Sequence, residues 1–65
     1  VKIRLNGSER ETEAGTIAAL VQELQLPRQT VLVERNGAPL RREEWDRQAL
    51  SEGDAIELLR VAAGG

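Results

Sequence analysis

Sixty-five residues carrying nine basic and eleven acidic side chains, a net charge of −2 and neither cysteine nor histidine make one small domain (1–65), near the lower size at which a core supports itself. The missing residue types exclude thiolate nucleophiles, imidazole bases, cysteine–histidine zinc sites and thiol redox chemistry, so no metal site is expected. One aromatic residue and a slightly acidic balance argue against nucleic-acid binding, and no apolar run or signal-peptide pattern points to a membrane, so a soluble, cytoplasmic protein is expected.

Val1 to Leu5 alternates apolar and basic residues, the period of a strand with Val1, Ile3 and Leu5 facing inward. Asn6-Gly7 suits the positive φ angles of a tight hairpin turn, so Ser8 to Glu13 should return antiparallel. That second strand is almost wholly polar, as an edge strand protected by charge would be. Thr16 is placed to cap a helix running to about Leu26, where Pro27 stops it. Ile17, Leu20, Val21 and Leu24 form its apolar stripe.

Thr30 to Arg35 reads as a third strand, and Asn36-Gly37 repeats the hairpin signal before Ala38-Pro39-Leu40. Proline has no amide donor, which assigns that short segment to an edge. Arg41 to Gln48 reads as a helical turn or irregular connection, with Trp45 a satellite of the core. Ser51 to Asp54 is a turn, and Ala55 to Val61 is the last strand, running into a tail of Ala62-Ala63-Gly64-Gly65. Glycine lacks a Cβ, so such an end can thread a slot too narrow for side chains, and four extended residues reach roughly 13 Å. The chemically distinctive group is the carboxylate on Gly65. It is anionic at neutral pH and unreactive until activated from outside.

The order of these elements suits a small mixed sheet packed on one helix. Several local features agree with one family: the hairpin through Asn6-Gly7, Ala14-Gly15-Thr16 opening a Leu-rich helix, and Val33-Glu34-Arg35-Asn36-Gly37. Arg42-x-x-Trp45, Gly53-Asp54-x-Ile56-Glu57 and Val61-Ala62-Ala63-Gly64-Gly65 complete the set. The chain resembles the sulfur carrier proteins of thiamine biosynthesis, the ThiS family, relatives of ubiquitin and of the small subunit of molybdopterin synthase. It departs from the family at Arg41, where proline commonly precedes the family's arginine.

The resemblance implies an α+β, ubiquitin-like β-grasp fold: a mixed four- to five-stranded sheet on one helix, first and last strands parallel at its centre, and a flexible diglycine tail. It implies that an E1-like adenylyltransferase of the ThiF type uses MgATP to adenylate Gly65. A cysteine desulfurase or sulfurtransferase then supplies the sulfur of a thiocarboxylate, and a ThiG-type thiazole synthase takes it. The chain is thereby a protein cosubstrate, monomeric when free and binding no cofactor itself. Delivery to molybdopterin, or a role as a ubiquitin-like modifier or interaction module, are the alternatives.

Strand parity adds a surface. Ala55, Glu57, Leu59 and Val61 share one face, which Glu57 marks as solvated, and Glu34 likewise turns Leu32 outward. If the last strand lies between the first and third, Leu32, Leu59 and Val61 form an exposed apolar patch, bordered by Lys2 and Arg4, at the root of the tail. That patch is expected to dock the activating enzyme and the sulfur acceptor in turn.

Overall fold

The computed structural model of the chain describes residues 1–61. Two hairpins frame it: β1 (Lys2–Leu5) with β2 (Ser8–Glu11), and β3 (Val31–Arg35) with β4 (Ala38–Leu40). Both turns are the expected Asn-Gly pairs, with φ of 50° and 85° at Asn6 and Gly7 and 52° and 85° at Asn36 and Gly37. Positive φ at both central residues is the turn whose twist matches that of the flanking strands. The last strand, β5 (Ala55–Arg60), lies between the hairpins in the order β2-β1-β5-β3-β4. It is parallel to β1 and antiparallel to β3, so the sheet is mixed and five-stranded.

One face of that sheet carries helix α1 (Ile17–Glu23). Ile17, Leu20 and Val21 are buried against Ile3, Val31, Val33 and Ile56, with Leu24 packed at the margin. The Thr16 hydroxyl accepts from the Ala19 N–H at 3.1 Å, as its cap role predicts. The helix ends earlier than the sequence suggests, and Pro27 is not what ends it. Gln25 turns left-handed at φ 57°, the Leu26 N–H reaches back to the Val21 carbonyl (3.2 Å), and the Gln25 N–H reaches Gln22 (2.9 Å). This pair of bonds closes the helix three residues before the expected end, with glutamine where glycine is usual.

Other boundaries shift for similarly local reasons. Val1 is 45% exposed at the sheet end rather than inward, and β2 stops at Glu11 because Thr12 turns into the protein. There its hydroxyl donates to Glu23 Oε1 (2.8 Å) and accepts from the Ala14 N–H (3.0 Å). Thr30 belongs to a 3₁₀ turn, Arg28–Thr30, and β5 ends at Arg60. Pro39 does sit on an edge: β4 pairs only with β3, so its missing N–H costs no ladder bond.

Trp45 is the larger correction. It is fully buried within the main core and is not a satellite. The connection that delivers it contains a 3₁₀ turn, Arg42–Glu44, lashed down by Arg42. Its guanidinium donates to the carbonyls of Arg28 (2.8 Å), Gln29 (2.7 Å) and Val31 (3.3 Å). Arg28 in turn lies 5.0 Å from the centroid of the Trp45 ring, a cation–π contact. Arg41 opens this connection with φ −78°, inside the range proline would impose, so arginine here holds a backbone angle that proline could also adopt.

Candidate functional site

The tail, Ala62 to Gly65, lies outside the described residues, so the site is read from what carries it. That carrier is β5, which is bonded on both sides. Toward β3, the register runs from Arg35 opposite Ile56 to Val31 opposite Arg60, and the Val61 N–H donates to the Thr30 carbonyl at 2.8 Å. Toward β1, only Arg4 and Leu5 pair with it, opposite Ala55 and Ile56. Beyond that point the Asn6 side chain takes over, its Oδ1 accepting from the Leu58 N–H at 2.8 Å.

The second turn asparagine does the same at the start of the strand. Asn36 Oδ1 accepts from the Ala55 N–H (2.9 Å), and its amide donates to Asp54 Oδ1 (3.2 Å). Both Asn-Gly pairs therefore close a hairpin and pin the central strand. The sequence shows their turn role only, because nothing local marks a side-chain bond to a strand 19 or 52 residues away.

Asp54 anchors this end. It is 6% exposed, its Oδ2 accepts from the Ser51 N–H (2.8 Å), and Arg35 approaches to 3.1 Å. Burial pushes its carboxyl up, but the Ser51 N–H, the Asn36 amide and the Arg35 guanidinium together outweigh that and hold it below the ordinary aspartate value. A charge kept ionised by structural partners at the base of the strand positions β5; it has no reacting group to serve.

The open face of the sheet, opposite α1, carries the expected patch. Leu32 and Leu59 stand directly opposite each other on β3 and β5, 47% and 61% exposed, and Val61 is also exposed. Glu34 and Glu57 form the next pair sharing that face. A groove of about 520 Å³ runs over these pairs, with Pro39 and Asn6 at its sides. The expected border of Lys2 and Arg4 is incorrect. The parallel register sets Arg4 beside Ala55, four positions and roughly 13 Å along β5 from Leu59, and the Lys2 carbonyl accepts from Gly53. Parity placed each residue on its face; only the register could place it along the strand.

Comparison with known proteins agrees with this architecture. The ThiS family model matches residues 3–65. The thiazole synthases of Magnetococcus marinus and Paramagnetospirillum magneticum are 38% and 33% identical over 66 residues, covering 100% of this chain. The chain spans only 20% of the length of each of them. The sulfur carrier protein ThiS of Bacillus subtilis is 32% identical over 97% of this chain and 98% of its own. Among solved structures, the crystal structure of the thiamine biosynthesis protein ThiS of Geobacter metallireducens superposes with a TM-score of 0.84 at 29% identity, all of both chains being covered. Architecture, motifs and a match over nearly the whole sequence agree: the chain belongs to the ThiS family.

Proposed function

We propose that this chain is a sulfur carrier for thiamine thiazole formation, a protein cosubstrate and not an enzyme. In this reading Gly65 ends the working protein. An oxygen of its carboxylate attacks the α-phosphorus of MgATP in an E1-like adenylyltransferase, and pyrophosphate leaves. The outer sulfur of a cysteine persulfide on a cysteine desulfurase or sulfurtransferase then displaces AMP to give an acyl disulfide. A thiol, which this cysteine-free chain cannot supply, attacks the cysteine sulfur of that S–S bond, releasing the thiocarboxylate on Gly65 and leaving a disulfide on the donor side. Activation as the acyl-adenylate replaces a poor leaving group with a good one. The partners provide the acid–base groups that a chain without cysteine or histidine lacks. Such a carrier works in the cytoplasm, beside its ATP-dependent partner, and is monomeric when free.

The observation that carries the proposal is the family match through residues 3–65, which takes in Gly64-Gly65. Thiazole synthases with a similar stretch inside a longer chain favour a thiazole synthase over a molybdopterin acceptor. The two strands bonded to β5 support a division of labour, with a rigid body holding the root and Ala62, Ala63 and Gly64 delivering Gly65. Leu32, Leu59 and Val61, beside that root, are the docking surface for both partners, so the two complexes exclude each other.

Deleting Gly65 should abolish ATP–pyrophosphate exchange by the ThiF-type enzyme, and Gly64→Val should impair it sterically. Both variants should keep the wild-type unfolding midpoint, because small terminal residues have little apolar surface to bury. Exchange at the wild-type rate with either variant would contradict the role given to the tail.

A further inference from the structure

Glu34 and Glu57 face each other across β3 and β5, and both are exposed. The Asn36 N–H to Ala55 carbonyl and Val61 N–H to Thr30 carbonyl bonds fix the phase of this ladder. Counting by twos makes Glu34–Glu57 a hydrogen-bonded pair, with Cα atoms roughly 5.5 Å apart. Like charges directly opposite disfavour the sheet. Neither carboxylate takes part in an ion pair among the described residues, a condition they share with Glu11, Glu13 and Glu52, but of these five only Glu34 and Glu57 stand directly opposite each other in the sheet. The pair lies in the open-face groove, one step from Leu32–Leu59 and on the side away from the tail.

Resting on the carrier reading above, we infer that this groove recognises a basic side chain of the sulfur-accepting thiazole synthase, held between Glu34 and Glu57. Successive same-face pairs along a strand are separated by roughly 7 Å. The fitting partner surface therefore presents an apolar side chain to Leu32 and Leu59, and an arginine or lysine about that far away. Arginine suits the site best, since a planar guanidinium presents five donors and can bridge two carboxylates. Pro39 and Asn6 bound the groove at its sides, so the charge pair orients the partner along the strands. The leucines supply contact area beside the tail. The glutamates set direction, placing the acceptor's active site at the Gly65 end. Within the free carrier the two charges repel; within the complex a single cation neutralises both.

The test is calorimetric titration of a ThiG-type thiazole synthase with the wild-type chain, Glu34→Gln/Glu57→Gln and Leu59→Asp, at low and high salt. The inference expects the double glutamine variant to bind about ten-fold more weakly at low salt, and to lose most of the salt dependence of the wild type. Its unfolding midpoint should equal or exceed that of the wild type, since a repulsion has been removed. Wild-type affinity in the double variant, with binding lost in Leu59→Asp, would overturn the charge inference and leave the apolar patch standing. Absence of binding by the wild-type chain would remove the carrier reading and the inference together.

Discussion

Asp54 is a single buried charge that fixes the base of the strand leading to the tail. Its folded carboxyl is held below the ordinary aspartate value, so folding favours the ionised form. The stability it contributes is complete above the ordinary aspartate range and is lost as pH falls through the lowered folded value. Asp54→Asn should cost about 2 kcal/mol at neutral pH, leaving Arg35 without its partner. Denaturant titrations at a series of pH values should show that difference shrinking as pH falls from the ordinary aspartate range, where the unfolded chain takes up its proton, through the lowered value of the folded carboxyl. A difference independent of pH would mean that packing, not charge, accounts for the loss. Asp54 was legible in the sequence as a turn residue and as part of the family motif Gly53-Asp54-x-Ile56-Glu57, but its anchoring role was not, because its partners come from positions 35, 36 and 51. Trp45 was underestimated for a related reason. It stands in a charged segment with no periodic neighbours, and the Arg42 bonds that press it into the core cross 11 to 14 residues of sequence.

Elements were legible where their signals are local, and less so where tertiary bonds decide. The strict alternation of β1, the apolar stripe of α1 and the two Asn-Gly turns each specify an element from a few adjacent residues. The C-terminus of α1 was misplaced because a glutamine occupies the left-handed position, and glutamine carries no such signal. For β5, parity assigned Leu59 to the open face correctly, while its neighbours across the sheet depended on a register that no local pattern encodes. That face yields a prediction of its own. Leu59→Asp should weaken binding to both the activating enzyme and the sulfur acceptor, while changing stability by less than about 1 kcal/mol, as at an exposed position. Titration against each partner, with a thermal melt beside it, checks this. Unchanged affinities would discard the patch, and a collapsed melt would mean that Leu59 supports the core.

For the whole molecule, 65 residues without cysteine or histidine fold around one central strand, which the proposed role makes the root of the reacting tail. The strand order is consistent with that purpose. β5 has neighbours on both sides, one hairpin on each, and asparagines from both turns supply bonds where backbone pairing is lacking. The topology was legible through the family resemblance and not from periodicity, since short polar strands pair equally well in several orders. The chemistry proposed for Gly65 is what the family resemblance implies, and the diglycine motif and the lack of cysteine and histidine agree with it. The central claim is that Gly65 becomes a thiocarboxylate. Its most direct test is the intact mass of the chain after incubation with ATP, the ThiF-type adenylyltransferase and a sulfur donor. The account predicts an ATP-dependent gain equal to the replacement of one oxygen by sulfur, confined to the C-terminal residue on fragmentation. An unchanged mass under conditions in which the same enzymes convert the Bacillus subtilis carrier would contradict it.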